Sequence, residues 1–213
     1  MAKAKYIVGI DLGTTNIVLS YAPLAAVDGE EPVQISLLPI VQELAKGAVE
    51  KLEVLPSFIF ERLKEKPVLT WEDDSQYIVG DYARERGAEV PDRLISSAKS
   101  WLCNPRIDRT QPVLPWNSPE ENAKISPLAA MAIFLRHVRH AWAEEFAKEK
   151  LEDQKVVVTI PASFDAAARD LIVEAARMAG LPTITLLEEP QAAFYSWISQ
   201  SDKPWRQDRK SVV

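Results

Sequence analysis

The sequence predicts an α/β fold, a mixed sheet flanked by helices, and three features carry that expectation. Residues 6–12 and 17–22 are two apolar strands joined by the tight turn Gly13-Thr14-Thr15-Asn16, a β-hairpin. After residue 125 the pattern runs helix–strand–helix–strand–helix, an order that implies parallel strands joined by crossovers. The 213 residues are 47% hydrophobic and 26% charged, ordinary for a globular chain and enough for one large domain or one and a half ordinary ones.

Side chains alternate along a strand, so Tyr6, Val8, Ile10 and Leu12 share one face of the first strand, and Ile7, Gly9 and Asp11 the other. Asp11 thus sits in an apolar pattern, and its burial would cost several kcal/mol unless it is paired or lies near a cation. The stretch 23–53 is mixed, with Pro23, Pro32 and Pro39; within it Ile40 to Leu52 is expected to be a short helix, weakened by Gly47. Leu55 to Phe60 reads as a short strand with a proline near its start. Residues 67–71 and 76–80 read as a second hairpin turned by Glu72-Asp73-Asp74-Ser75, with a short helix starting near Asp81. Four prolines in 104–119 predict irregular chain.

The second half is plainer. Ser126-Pro127 is an N-cap followed by proline at the first helical position. Leu128, Met131, Leu135, Val138, Trp142 and Phe146 then recur every three or four residues as one helical stripe. The β-branched run Lys155 to Ile160 predicts a strand covered on both faces, ended by Pro161. Asp165 to Ala179 is a helix closed by Gly180 and Pro182. Thr183 to Leu187 is another buried strand, and Gln191 to Gln200 another helix. Lys210-Ser211-Val212-Val213 reads as the opening of a further strand, so the sequence is expected to be a piece of something longer.

Composition excludes several classes. A net charge of −6 argues against broad nucleic-acid binding. The single cysteine, Cys103, forbids an internal disulfide and fits a reducing compartment. No apolar run approaches a membrane span, and the amino terminus lacks a secretory signal, so the expected location is cytoplasmic, away from membranes. Neither G-x-G-x-x-G nor G-x-x-x-x-G-K occurs, which disfavours a Rossmann dehydrogenase or a P-loop enzyme. His137 and His140 lie three apart on the long helix without a third ligand and read as an exposed face. Cys103 reads as inert, and Trp101, Trp116, Trp142, Trp197 and Trp205 as packing residues.

Two constellations carry chemistry. The first is Asp11 with Gly13-Thr14-Thr15-Asn16. It is either an ordinary hairpin turn or a nest whose N–H groups and hydroxyls hold a phosphate while Asp11 holds Mg²⁺ through water. The second runs from Val157 to Asp165 with Arg169, then Leu187-Glu188-Glu189-Pro190-Gln191-Ala192-Ala193. Glu189 lies at the carboxyl end of a strand, where open α/β sheets bind ligands, and could orient or deprotonate a water. Equally, Glu188 and Glu189 could cap the helix that Pro190 enters.

Taken together, Gly9-Ile10-Asp11-Leu12-Gly13-Thr14-Thr15-Asn16, Thr159-Ile160-Pro161-Ala162-Ser163-Phe164 and Glu189-Pro190-Gln191-Ala192-Ala193 resemble the actin-like ATPase superfamily. The resemblance is most specific to the nucleotide-binding domain of DnaK-type, seventy-kilodalton heat-shock chaperones. Leu55-Pro56-Ser57 is similar to that family's threonine-proline-serine strand and Val79-Gly80 to its following valine-glycine. Arg93 to Leu102 resembles the stretch holding its catalytic lysine, which places Lys99 there. Ser163 stands for the usual tyrosine, Glu188 for asparagine and Gln191 for threonine. The lysine segment reads Lys99-Ser100-Trp101-Leu102-Cys103 instead of lysine-arginine-leucine-isoleucine-glycine.

The resemblance implies the amino-terminal half of an actin-like (ribonuclease H-like) ATPase domain. Its core would be residues 1–53 and 125–213, and a smaller α/β subdomain, 54–124, would be inserted. It implies ATP/ADP and Mg²⁺ as ligands: Asp11 and Glu189 near Mg²⁺ through water, Gly13, Thr14, Thr15 and Asn16 on phosphate, and Lys99, Glu189 and Thr14 as catalytic residues. Pro161 and Arg169 would relay nucleotide state to a substrate domain. The implied function is ATP binding and slow hydrolysis in a divergent DnaK-type chaperone-like protein, with unfolded polypeptide and co-chaperones as partners of the full-length chain. Alternatives are a bacterial actin-like filament protein, which the paired glutamates also resemble, a sugar or acyl kinase of the same superfamily, or a nucleotide sensor without hydrolysis. The second phosphate loop and adenosine site would lie beyond Val213, so this stretch alone is expected to bind ATP weakly or not at all.

Overall fold

The structure is a computed structural model describing residues 4–27, 33–63, 66–69, 71, 76–119 and 124–200. Strands β1 (Tyr6–Leu12) and β2 (Asn16–Pro23) form the expected antiparallel hairpin, followed by a short α1 (Leu24–Val27) and by β3 (Ser36–Leu37), which pairs with β2. The expected helix between Ile40 and Leu52 is instead a second hairpin, β4 (Ile40–Ala45) and β5 (Ala48–Leu52). Gly47 adopts φ +83° in the turn between them. It is a hairpin-turn residue, not an interruption in a helix. Ile40, Val41, Gln42 and Glu43 are all buried, so tertiary packing overrides local preference there.

Strand β6 (Leu55–Pro56) adds to β2, while β7 (Ile59–Glu61) pairs with β8 (Tyr77–Val79). The expected partner of β8 was 67–71, but residues 66–69 and 71 belong to no strand, and the turn at 72–75 lies outside the described residues. Trp71 stacks on His140, ring centroids 5.0 Å apart, so aromatic packing holds this segment where a ladder was expected. Helix α2 (Asp81–Glu89) begins where expected, its first N–H bonded to the Oε1 of buried Gln42 at 3.0 Å. Strand β9 (Leu94–Ile95) pairs with β7, and α3 (Ala98–Leu102) follows. Residues 104–119 are irregular apart from a bridge between Leu114 and Ile125.

Helix α4 (Pro127–Glu145) is capped by the Ser126 side chain, which accepts the Ala129 N–H at 3.0 Å. The predicted stripe is buried through Met131, Leu135, Val138 and Trp142, but Ile133, Phe134 and His137 are buried too. More than one face of α4 is therefore covered. Then come β10 (Lys155–Ile160), α5 (Ala166–Met178), β11 (Thr185–Glu188) and α6 (Glu189–Gln200). The main sheet runs β11-β10-β1-β2-β3, with β10 parallel to both β1 and β11 as the crossover pattern requires. Val8, Ile10, Leu12, Val156, Val158 and Ile160 share one core with α4 and α5. The expected two-sided covering of β10 is not met, because Val157 and Thr159 on the other face are only partly buried. β11, expected to be buried, is an edge strand with Thr185 exposed and Leu186, Leu187 and Glu188 part-buried.

His137, expected on an exposed face, is buried with its Nε2 2.8 Å from the Val41 carbonyl. Burial, helped by nearby His140, pushes its pKa from 6.5 down to about 4, against the opposing pull of the Val41 bond. The folded ring is therefore neutral where the unfolded ring charges. Its contribution is complete above pH 6.5 and is lost as pH falls towards 4. Stability is expected to drop by about 3 kcal/mol across that window from this group. Urea midpoints of wild type and His137→Gln between pH 7 and 4 check this: the variant's curve should be flatter.

Candidate functional site

Because β1, β10 and β11 are parallel, their carboxyl ends lie at one edge of the sheet. Asp11 is the second-last residue of β1 and Thr159 the second-last of β10; the Thr159 hydroxyl donates to Asp11 Oδ1 at 2.6 Å. Asp11 is exposed, not buried as the apolar pattern suggested. The face of Ile7, Gly9 and Asp11 is the less covered side of the sheet, so the carboxylate stays in reach of water and of a ligand. Gly9 supplies closeness on that face: an added Cβ would sit 2.9 Å from Ser20 Oγ.

The turn after β1 is built by its own backbone and by Ser57. A Cβ on Gly13 would lie 2.3 Å from the Asn16 carbonyl oxygen, so only glycine fits. Ser57 Oγ donates to the Gly13 carbonyl at 2.9 Å, and the Ser57 N–H donates to the Thr15 carbonyl at 2.8 Å. With those carbonyls tied back, Thr14, Thr15 and Asn16 present exposed side chains at the sheet edge. Asn16 Nδ2 donates to Thr15 Oγ1 at 3.3 Å.

Lys99 lies on α3 and is not a solvated helix lysine. Its side chain is 3% exposed, and its Nζ donates to Glu189 Oε1 at 2.6 Å. A buried ammonium needs a counter-charge, and Glu189, first residue of α6, provides it from the end of β11. The Phe164 ring lies 6.0 Å from the same Nζ. Ser97, just before α3, takes φ +53°, a left-handed conformation that is costly for a non-glycine residue. Cys103 Sγ donates to the Lys99 carbonyl at 3.4 Å, and burial pushes the thiol pKa up, as suits an unreactive cysteine.

The loop from Pro161 to Asp165 links β10 to α5. Asp165 caps α5 by accepting the Ala168 N–H at 2.7 Å, and Arg109 grips the same carboxylate with two bonds of 3.0 and 2.9 Å. The guanidinium holds this carboxyl down at about 2. Arg169 Nη2 donates to Glu188 Oε1 at 2.7 Å, and its Nε to the Phe164 carbonyl at 3.3 Å. The structure thus brings Asp11, the Gly13–Asn16 turn, Pro161 and Glu189 to one edge and joins Lys99 to Glu189. Arg169 meets Glu188, the residue before it. Thr159, Ser57 and Phe164 stand in the quoted motifs without an assigned role, and Arg109 is not singled out at all. Of these Thr159 left a trace, as the one hydroxyl in an apolar strand.

The sequence model of the family described as "Hsp70 protein" matches residues 68–205. The chain is similar to the Chaperone protein DnaK of Methanothermobacter thermautotrophicus, 28% identical over 193 residues, which covers 91% of this chain and 26% of that protein. It is also similar to the Chaperone protein DnaK of Mycoplasmopsis agalactiae, 33% identical over 193 residues, and of Mycoplasmopsis synoviae, 29% identical over 195 residues. Each of these two covers 91% of this chain and 25% of the relative. The chain therefore spans about a quarter of the length of the curated relatives it matches. Among the described residues, no helix is long and apolar enough to cross a membrane.

Proposed function

The chain belongs to the Hsp70 protein family, and we propose that its sheet edge is the first phosphate-binding half of an ATP site. The observation that carries this reading is the ion pair of buried Lys99 with Glu189 at 2.6 Å. Burying a lysine in a cleft is costly, and a poised cation beside a carboxylate serves phosphoryl transfer, which depends on positioning and on charge neutralisation. In this reading Gly13, Thr14, Thr15 and Asn16 hold phosphate oxygens, Lys99 meets the γ-phosphate, and Glu189 orients the attacking water.

Asp11 and Glu189 suit Mg²⁺ held through water: both are exposed oxygen donors, and Mg²⁺ uses few carboxylates and keeps several waters. The metal would supply charge neutralisation on the phosphates. Thr159, donating to Asp11, fixes which way that carboxylate points. Residues 1–53 and 125–213 are then one subdomain and 54–124 an insertion, together the amino-terminal half of an actin-like ATPase domain. In the full-length protein, Pro161 and Arg169 pass nucleotide state to a polypeptide-binding part with which co-chaperones act, in the cytoplasm.

Gly13→Ala tests the phosphate role without touching a charge. The intruding Cβ should open the turn and weaken ATP binding by the full-length protein about tenfold or more, roughly 1.4 kcal/mol, measured by calorimetry. Undiminished affinity would overturn the reading. Release of inorganic phosphate without any added acceptor separates an ATPase from a kinase.

A further inference from the structure

Glu188 and Glu189 are consecutive, yet each is held by a different cation: Glu188 by Arg169 of α5, Glu189 by Lys99 of α3. Glu188 is registered opposite Ile160, whose side chain is fully buried in the core shared with α5, so the Glu188 carboxylate lies on the α5 side of the sheet. Arg169 makes a second bond, to the carbonyl of Phe164. The ring of Phe164, 4% exposed, is the aromatic face that lies 6.0 Å from Lys99 Nζ.

These bonds close a circuit. The two groups that Arg169 touches are, one covalent step on, the two groups that surround the Lys99 ammonium. One is Glu188, whose chain neighbour Glu189 pairs with Lys99. The other is the Phe164 backbone, which carries the ring beside Lys99. We propose that the Glu188–Arg169 ion pair is a positioning device. From behind the sheet edge it fastens the β10–α5 loop to the β11–α6 junction, and so fixes both walls of the Lys99 cage. Glu188 and Arg169 are positioning residues that act through Glu189 and Phe164. This role rests on the reading of Lys99 and Glu189 as site residues.

The test reads Lys99 itself. Acetic anhydride acylates amines according to their accessibility and neutral fraction, and peptide mass spectrometry reports Lys99 separately from other lysines. In the wild-type chain Lys99 should label slowly. Glu188→Asn and Arg169→Gln should each raise its labelling rate about two- to fivefold, the range an ion pair of this exposure can carry, while surface lysines such as Lys155 stay unchanged. The exchanged pair Glu188→Arg with Arg169→Glu should recover only part of the rate, through the Glu189 wall, because a glutamate at 169 cannot donate to the Phe164 carbonyl. Added salt should raise the wild-type rate by a larger factor than that of Glu188→Asn, in which only the Lys99–Glu189 pair is left to screen. A Lys99 rate unmoved by both single variants overturns the proposal. Circular dichroism of each variant identifies a folding failure, in which case the single variant that folds decides. Protection of Lys99 by MgATP in the full-length protein is scored apart from this. Protection with no response to Glu188→Asn sinks the positioning role and keeps the nucleotide reading; a response without protection does the reverse.

Discussion

Glu189→Ala should destabilise the fold more than Lys99→Met, although the two residues form one ion pair. The side chains are 3% exposed for Lys99 and 44% for Glu189. Removing Glu189 takes the counter-charge from a buried ammonium and leaves it near the Phe164 ring, whose 6.0 Å separation is at the outer limit of a cation–π contact. The expected loss is about 2–3 kcal/mol, below the 3–5 typical of a fully buried pair because water already reaches the Glu189 side. Removing Lys99 instead leaves a carboxylate that is nearly half in solvent, and methionine refills the space, so the loss should stay below about 1 kcal/mol. Urea midpoints give the order directly, and a reversed order would show that Lys99 is not the sequestered partner. Turnover separates the residues differently. On the proposed ATPase reading, Lys99→Met in the full-length protein should cut ATP hydrolysis about a hundred- to a thousandfold, as expected for a preorganised cation aimed at developing charge. Unchanged turnover in both variants would remove them from the catalytic assignment.

What could be read from the sequence depended on how far apart the interacting groups are. The β1–β2 hairpin, the Ser126 cap, the helix opening at Asp165 and the stop at Gly180 are local signals, and each appears where expected. Ile40 to Leu52 misled because its helix-compatible composition says nothing of the core that buries Ile40 to Glu43. Residues 67–71 misled for a similar reason, since Trp71 is held by α4. At the site, the turn was legible because Gly13 and the hydroxyls adjoin each other. Its fastening by Ser57 was not, because the bond spans 44 residues. Asp11 shows the limit most clearly. Alternation placed it correctly on the face opposite Val8 and Ile10, but only the packing of α4 and α5 decides which face is covered. Lys99 carried a weak local signature, and its burial and its partner 90 residues away became apparent only in three dimensions.

A second buried pair, away from the sheet edge, should show the opposite symmetry. Glu43 on β4 and Arg62, directly after β7, are 3% and 6% exposed and meet through two bonds of 2.6 and 3.3 Å. They line a cavity with Trp71, Ile133, His137 and His140, and both side chains are almost wholly withdrawn from solvent. Either Glu43→Leu or Arg62→Leu should therefore cost about 3–5 kcal/mol at neutral pH, since each takes from the other group the counter-charge it meets through two buried bonds. The double replacement should lie within about 1–2 kcal/mol of wild type, because two leucines remove both desolvation costs while keeping the cavity filled. Acid distinguishes the single variants. A stranded carboxylate escapes by taking up a proton, whereas a guanidinium has no neutral form within reach. Measured as a difference from wild type at each pH, the deficit of Arg62→Leu should shrink as pH falls and that of Glu43→Leu should not. Deficits under 1 kcal/mol in both, or a double variant as weak as the singles, would mean that the pair is hydrated and that the β4–β5 hairpin is held to β7 by its apolar contacts alone.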